Sequence, residues 1–401
     1  MRRLHTTTSF IFCLLLTCGL FASSSTSHAS SLLSERTYKR LDRVHKLMDK
    51  EDYTQALEKL QQLQQSVKNR PYDKALVLQT FGYIYISTNN PTKAIESFKA
   101  SLTLNAMPEQ ANQNMRLNLT QLYMEQDSDS EALTMYQQWL NKENKPGPSA
   151  HILGGTLYAR LKDYPKAIRH IKTALSESKD PKEPWYQLLL AIYYETQRYQ
   201  ESAELLEKMI VRFPDNKKYW NQLSGIYFTL KRDKQALSIS QLAYSHGLLK
   251  SEKELLRLAK LYLYMQLPLQ AASLLEKHLA DTTIDGNKKN LLLLSESLLQ
   301  ARELESATSY LHKAAKLSND PELFLKLANI QASLENWPEV INVLEPVDIS
   351  SLKNAGKAYL LKGIAYYEQN NNNEAIKAFK NASLDKKTQN NAQQWLQLVS
   401  H

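Results

Sequence analysis

The chain has 401 residues, with 50 Lys and Arg residues against 41 Asp and Glu residues and a formal net charge of +9. Only 10 glycines and 13 prolines are present, which argues against the turn-rich composition of an all-β fold and favours a helical protein. A chain of this length would ordinarily hold two or three domains, unless it is built from repeats that extend it by addition.

A secretory signal is predicted at the N-terminus. Arg2 and Arg3 supply a positive start, and residues 10–22 form an apolar run that is short for a membrane span. Ser27-His28-Ala29 then places small residues at the two positions that signal peptidase requires. We therefore expect cleavage after Ala29, so that residues 1–29 form the signal peptide.

The cysteines bear on the compartment. Both of them, Cys13 and Cys18, lie within the predicted signal, so the mature protein would have no thiol for a disulfide, a metal site or a nucleophile. A chain without thiols suits the bacterial periplasm, and no later apolar run is long enough to span a membrane. Two alternatives are an uncleaved membrane anchor and a lipoprotein acylated at Cys18, which Thr17 disfavours because a smaller residue is usual there.

The positive charge narrows the class of partner. Removal of Arg2 and Arg3 lowers the formal charge from +9 to +7. An exported protein does not routinely meet nucleic acid, so we expect no nucleic-acid partner. The charge then reflects either lysine-rich helix faces in solvent, or attraction to an acidic partner or an anionic envelope surface.

Helical hairpins with a common spacing follow the leader. The first begins near Leu32 and is degenerate, whereas the second places Phe81-Gly82-x2-Tyr85 before Ala94-x3-Phe98. A polar turn over residues 141–149 separates the third hairpin from the fourth. These two hairpins are marked by Leu119, Tyr123, Ala132, Tyr136, Gly155, Tyr158, Ala167, Ile171 and Ala174.

The fifth and sixth hairpins, within residues 183–244, match each other at an offset of 34 residues. The sixth contains Trp220-x2-Leu223-x3-Tyr227, followed by Ala236. Leu223 and Tyr227 lie at i, i+4 on one helix face and can fill the space between two paired helices. The small Ala236 lets the second helix lie close against the first.

Four more hairpins complete the series. A polar loop at residues 281–287 separates the seventh from the eighth, and the ninth has Val340 where alanine is usual. The tenth restores the pattern with Gly363-x2-Tyr366 and Ala375-x3-Phe379. Residues 388–401 then carry Trp395, Leu396 and Val399 on one face, and we predict a helix that caps the last hairpin. An alternative for this helix is docking to a partner.

The pattern resembles the tetratricopeptide repeat family, whose W-x2-L-G-x2-Y signature is close to the Trp220–Tyr227 segment. The resemblance rests on matched positions in about ten units and covers residues 30–387. It implies an all-α fold in which helix pairs stack into a right-handed superhelical solenoid. It also implies a groove, lined by the first helix of each pair, that binds peptides or partner helices.

A narrower resemblance concerns function. The signal peptide, the array length and the stretches Tyr219–Gly225 and Gln241–Ala243 are similar to periplasmic repeat proteins of marine γ-proteobacteria. Those proteins are encoded beside TonB–ExbB–ExbD energy-transduction components. The similarity implies an accessory scaffold in energy-coupled uptake across the outer membrane, with TonB-system components as partners.

No catalytic or cofactor motif is present in the sequence. Phosphate-binding, dinucleotide-binding, zinc-protease and nucleophile-elbow patterns are missing, and Gly154-Gly155 lies within a helix at a packing position. No histidine has another histidine three or four residues away, so no helix presents a two-histidine metal face. We therefore predict no catalytic residues, cofactor or metal, and a protein that is not an enzyme; an enzyme with a cryptic site is the least favoured hypothesis.

Counting from the signature places nine candidate binding residues on the groove-facing side of first helices. Aromatic side chains there can anchor a peptide, and the two cations suit a carboxylate or an acidic segment. The alternative is that these are ordinary groove-facing residues without a fixed partner. The candidates are Tyr83, Gln187, Tyr194, Asn221, Phe228, Arg257, Lys260, Tyr264 and Tyr367.

The carboxylate clamp of chaperone-docking family members is not reproduced. Its two diagnostic places hold Asn221 and Gly225 in the sixth hairpin, and Leu256 and Lys260 in the seventh. Capture of an extreme C-terminal carboxylate is thus not indicated. The sequence instead predicts a periplasmic protein-binding scaffold, accessory to TonB-dependent uptake. An alternative is an assembly adaptor for an outer-membrane or polysaccharide-export complex.

Overall fold

The computed structural model describes residues 33–399, and within that range every regular element is helical. The predicted signal peptide, including Cys18 and the cleavage position after Ala29, lies outside the described residues. The chain divides into two compact units, Met1–Pro181 and Lys182–His401. None of the helices in residues 33–399 combines the length and the apolar character that crossing a membrane requires.

The described part of unit 1, residues 33–181, contains eight helices that pack as consecutive antiparallel pairs. They are α1 Glu35–Met48, α2 Tyr53–Ser66, α3 Pro71–Ser87, α4 Pro91–Thr103, α5 Glu109–Glu125, α6 Asp129–Leu140, α7 Pro148–Arg160 and α8 Tyr164–Glu177.

Unit 2 contains the remaining α-helices of the described range and one short 3₁₀ segment, Ile349–Ser351. The first hairpins of this unit are α9 Glu183–Glu195, α10 Tyr199–Arg212, α11 Lys217–Thr229, α12 Asp233–Ser245, α13 Glu252–Tyr264 and α14 Pro268–Ala280. They are followed by α15 Lys288–Gln300, α16 Leu304–Ser318, α17 Pro321–Ser333, α18 Trp337–Leu344, α19 Ala355–Glu368, α20 Asn372–Ala382 and α21 Gln389–Val399. The prediction of about ten helix pairs in an all-α fold is confirmed.

The turn inside each hairpin has the same backbone conformation. One residue that is not glycine takes a left-handed φ of 54° to 64° in every such turn, from Glu51 in the first hairpin to Asn370 in the tenth. The next N–H reaches back to a carbonyl near the end of the first helix, as Arg232 N does to Tyr227 O at 2.8 Å. This bond satisfies one of the carbonyls that a helix end leaves without a partner.

The predicted small positions lie where two paired helices approach each other. Ala94, Ala236 and Ala375 are completely buried, and Val340 fills the same place in the ninth hairpin. The glycines of the first helices permit an equally close approach, because a Cβ on Gly82 would lie 2.4 Å from the Phe98 ring. Gly154 and Gly155 are likewise buried in helix α7, in agreement with a packing role.

Helix α21 packs against α20 at the end of the described chain. The Trp395 ring stacks on Phe379, with ring centroids 5.5 Å apart and planes 10° apart. Ala392 and Val399 of the same helix are buried. The apolar face predicted for this segment therefore covers part of the last hairpin.

Candidate functional site

All nine candidate residues lie on first helices of their hairpins. Within each unit, we call the surface formed by its first helices the first-helix face of that unit. Tyr83 belongs to α3 of unit 1. The other eight belong to unit 2, where α9, α11, α13 and α19 carry them.

Several candidates are partly engaged in packing. Tyr83 lies edge-on to Phe98 with ring centroids 5.3 Å apart, and burial raises the pKa of its hydroxyl. Tyr367 makes a similar contact with Trp395 at 5.5 Å. These two rings contribute to the core of their hairpins and offer a partner only part of their surface.

The two candidates on α9, Gln187 and Tyr194, differ in whether their side chains are held in contacts within the protein. The Gln187 amide donates to the Tyr219 hydroxyl at 2.7 Å, and that hydroxyl donates to Glu183. Burial, together with the hydrogen bond to Glu183, raises the pKa of Tyr219 to about 12. Gln187 is therefore held in a contact between α9 and α11, whereas Tyr194 is a half-buried tyrosine whose pKa is raised by burial.

The structure brings Phe228 and Tyr264 together. Their ring centroids are 6.5 Å apart in an edge-to-face arrangement, and the Tyr264 side chain is 64% exposed. The Tyr264 hydroxyl donates to Asp233 at 3.1 Å, which fixes the ring at the end of α13. An exposed tyrosine whose orientation is held in this way can pack against an apolar or planar group of a partner.

A first cavity of about 360 Å³ lies on the first-helix face where α13, α15 and α17 meet. These helices are neighbours, since the Asn290 amide donates to Glu252 at 2.6 Å and Lys288 contacts Asp320 at 2.9 Å. Four leucines form the apolar part of the wall, and charged side chains surround them. The apolar residues are Leu256, Leu292, Leu293 and Leu323, and the charged ones are Lys260, Lys289, Glu296 and Lys326.

A second cavity of about 260 Å³ lies between α11, α12 and α13. Asn221 and Arg257, both predicted from the sequence, line it together with Trp220, Lys253 and other residues. Arg257 and Lys260, which the sequence places side by side on α13, thus border two different cavities. Arg257 lines the same cavity as Asn221, and Lys260 lines the same cavity as residues of α15 and α17.

One carboxylate of the second cavity already has a cation. Lys217 contacts Glu254 at 2.7 Å. Burial alone would raise the pKa of Glu254, but hydrogen bonds from Lys217 and Ser251 outweigh it and lower the pKa to about 2. Glu254 is therefore ionised and paired, so it does not neutralise the neighbouring Arg257 or Lys253.

Sequence reasoning missed the leucines of the first cavity and the lysines on α15 and α17. In the sequence, Leu256 stands out only as a mismatch to the carboxylate clamp. Lys289 and Lys326 belong to hairpins in which the aromatic signature is weak, so counting from the signature predicts no groove-facing residue there. An apolar residue at a groove-facing place in successive hairpins, such as Leu256, Leu292 and Leu323, is the signal that could have identified them.

Titratable side chains also meet between helices in ways that helix periodicity cannot reveal. In unit 1 the Nδ1 atoms of His151 and His170 are 3.1 Å apart, although the residues are on different helices. In unit 2 the Tyr244 hydroxyl lies 2.8 Å from Nε2 of His278, whose Nδ1 is 2.9 Å from Asp281. Within residues 33–399, no group of three His, Cys, Asp or Glu side chains is arranged to hold a metal ion.

Comparison with known proteins identifies the repeats. Tetratricopeptide repeat family models match residues 75–106, 152–217 and 356–383. A comparison with curated proteins finds no match.

Similar solved structures include a tetratricopeptide repeat protein from Parabacteroides merdae, with 16% identity, 74% of this chain and 98% of that chain covered, and a TM-score of 0.40. YrrB, a TPR protein with an unusual peptide-binding site, is 17% identical over 48% of this chain and 99% of YrrB, with a TM-score of 0.34. PilW, a widely conserved type IV pilus biogenesis factor, is 16% identical over 53% of this chain and 94% of PilW, with a TM-score of 0.36.

Arrays of tetratricopeptide repeats are typically scaffolds that bind proteins or peptides and do not catalyse reactions. The matches fall in hairpins whose glycines and alanines allow close helix pairing, as at Gly82 with Phe98 and Gly363 with Phe379. The chain therefore contains tetratricopeptide repeats.

Proposed function

We propose that the protein is a binding scaffold of the bacterial periplasm and that the first-helix face of unit 2 holds a segment of a cell-envelope protein. The observation that carries the proposal is the concentration of side chains available for contact on α13. Arg257, Lys260 and Tyr264 are all exposed there, and the two cations border cavities of a size that accepts side chains.

Export is supported by the leader and by the cysteine positions. Arg2, Arg3 and the apolar run at residues 10–22 have the order of a signal peptide, and both cysteines precede the expected cleavage after Ala29. Fractionation of cells followed by N-terminal sequencing of the purified protein tests this. We expect a periplasmic protein that begins at Ser30; a protein that retains residues 1–29, or one acylated at Cys18, would contradict the proposal.

Binding by the first-helix face is tested by affinity capture of the full chain from intact cells. The variant Arg257→Glu/Lys260→Glu reverses two exposed charges on α13. Its matched control, Lys208→Glu/Lys234→Glu, reverses two exposed charges on the second helices α10 and α12. Envelope proteins that are lost with the first variant and retained with the control identify the partner, whereas equal capture by both would remove α13 from the binding surface.

The narrower proposal is an accessory role in TonB-dependent energy transduction and outer-membrane uptake. It is supported by the similarity of the stretches at residues 219–225 and 241–243 to periplasmic repeat proteins of TonB systems. The same capture experiment tests it, since components of a TonB complex or of an outer-membrane receptor should be among the proteins lost with the α13 variant. Recovery of a different envelope machine would retain the scaffold and reject the TonB role.

A further inference from the structure

We propose that the partner segment is acidic and carries leucine-like apolar side chains, and that it lies across α13, α15 and α17 with an apolar side chain in the leucine-walled cavity. This inference rests on the proposed scaffold function and specifies the chemistry of what is bound. It comes from the charges and apolar surfaces of the two cavities that border α13.

Positive charge exceeds negative charge in the lining of the two cavities. Five cations face two carboxylates. The cations are Lys253, Arg257, Lys260, Lys289 and Lys326, and the carboxylates are Glu254 and Glu296.

Both lining carboxylates already contact lysines, Glu254 with Lys217 at 2.7 Å and Glu296 with Lys326 at 3.2 Å. Glu252, the first residue of α13, accepts a hydrogen bond at 2.6 Å from the amide of Asn290, which lines the first cavity. These three carboxylates are therefore engaged within the protein.

Four of the cations have no such contact in the part of the chain that the structure describes. Lys253 and Arg257 on the second cavity, and Lys260 and Lys289 on the first, are exposed and lie within 4 Å of no described carboxylate oxygen. Like charges gathered at one surface repel one another, and an anionic ligand relieves this repulsion and speeds association. A neutral or basic partner would leave the repulsion in place.

The wall of the first cavity adds an apolar requirement. Leu256, Leu292, Leu293 and Leu323 are each partly exposed to it. A leucine side chain of a partner that packs against this wall removes apolar surface from water on both sides of the contact, which favours binding. An acidic segment without apolar side chains would pair with the lysines but leave the leucines of this wall exposed to water. The bound segment therefore needs both acidic and apolar side chains.

The three helices also set the length of the segment. Side chains of α13 and α15 are in contact, and α15 likewise contacts the N-cap of α17. Neighbouring helices have axes roughly 10 Å apart, so crossing from α13 to α17 takes roughly 20 Å. An extended chain advances about 3.3 Å per residue, so about six residues span the site. The occupant is thus a short linear segment, which a loop or tail of an envelope protein can provide.

Fluorescence polarisation with labelled synthetic peptides tests the inference on the full chain. The probes are an acidic peptide of eight residues with two leucines, the same peptide with glutamine for every acidic residue, and the same acidic peptide with serine for both leucines. We expect the first to bind at least ten-fold more tightly than either of the others in 50 mM salt, and to weaken as salt is raised.

Two variants locate the binding. Lys260→Glu/Lys289→Glu should weaken the acidic leucine peptide at least ten-fold, whereas Lys208→Glu/Lys234→Glu, with the same change in net charge, should alter it less than two-fold. Circular dichroism melting checks that both variants remain folded. Equal affinity for the acidic and neutral peptides, or equal loss in both variants, would overturn the proposed ligand chemistry.

The outcomes separate this inference from the scaffold function. If envelope proteins are still lost from the Arg257→Glu/Lys260→Glu capture while no peptide preference exists, the scaffold stands and the acidic ligand is wrong. Sedimentation of the wild type and of Lys260→Glu/Lys289→Glu tests a second copy of this chain as the occupant. A dimer that the variant abolishes would assign the groove to self-association and overturn the inference.

Discussion

Close helix pairing can be tested with one methyl group. Gly82 lies in α3 against α4, and a Cβ at this position would come within 2.4 Å of Cε1 and 2.7 Å of Cζ of Phe98. These distances are far below van der Waals contact, and Phe98 is completely buried, so the ring has little room to move. We expect Gly82→Ala to destabilise unit 1 by about 1–3 kcal/mol, the usual cost of forcing extra volume into a packed core.

Gly225 provides the matched control. It lies within α11, and a Cβ there would meet no atom within 4 Å. Alanine is favoured over glycine in a helix by about 0.8–1.0 kcal/mol, so Gly225→Ala should stabilise the protein. The two substitutions are chemically identical and should have opposite signs in urea unfolding monitored by circular dichroism. If both raise the unfolding midpoint, the close approach of α3 and α4 does not exist.

Larger side chains extend the same test. Gly82→Leu and Gly155→Leu should each separate their helix pair at a cost of about 1–3 kcal/mol or more, because Gly155 faces Ile171 as Gly82 faces Phe98. Stability equal to that of the wild type would mean that the repeat register is wrong.

Three further predictions concern local features. Burial, followed by the charges of His151 and Arg169, lowers the pKa of His170 from 6.5 to about 4, so the unfolded chain binds more protons between these values. The resulting stability, on the order of 3 kcal/mol, is fully present above pH 6.5 and is lost as the pH falls towards 4. His170→Phe keeps a ring beside Tyr158 and should flatten this part of the pH dependence of the unfolding free energy. Lys231 has a φ of 60°, so Lys231→Gly should raise the melting temperature by relieving left-handed strain worth about 1 kcal/mol. Lys234→Gly, in the first turn of α12, should lower the melting temperature because glycine is a poor helix former. Trp395→Ala removes the stack on Phe379 and should increase hydrogen exchange in α20 and α21 while unit 1 exchanges as before; unchanged exchange in α20 would show that α21 does not stabilise the last hairpin.

The repeat architecture was accessible from the sequence because each hairpin uses the same few residue types at the same places. Ala236 and Gly82 mark the positions where paired helices touch, and both are buried as predicted. The conformation of the turn between the two helices was harder to predict from the sequence. Its left-handed residue is Lys231 in one hairpin and Arg302 in another, so the turn is set by the backbone bonds around it and by no preferred residue type.

The candidate site was only partly accessible. Arg257 and Lys260 were recognised as exposed cations on one helix, but two residues three apart on a helix can face different neighbours, and here they border different cavities. The residues that line the same cavity as Lys260, such as Lys289 and Leu323, lie more than 25 residues away in the chain. Periodicity within one helix holds no information on such neighbours, which depend on how successive hairpins are stacked.

The contact between His151 and His170 in unit 1 is another that periodicity within one helix does not predict. Neither residue has a histidine three or four positions away, so the sequence indicated dispersed histidines. The two histidine rings meet because α7 and α8 pack against each other. Gly154 in α7 also admits the Tyr136 side chain, whose hydroxyl lies 3.4 Å from Nδ1 of His170. A contact of this kind depends on a missing side chain in one helix and a ring in another.

Site-specific photocrosslinking in intact cells tests the central claim most directly. A photoreactive amino acid replaces Lys260 on the first-helix face or, as control, Lys234 on α12, and adducts are identified by mass spectrometry. We predict that Lys260 yields an adduct with an acidic, leucine-containing segment of an envelope protein and that Lys234 does not. Adducts of the same protein at both positions, or at Lys234 alone, would contradict binding by the first-helix face.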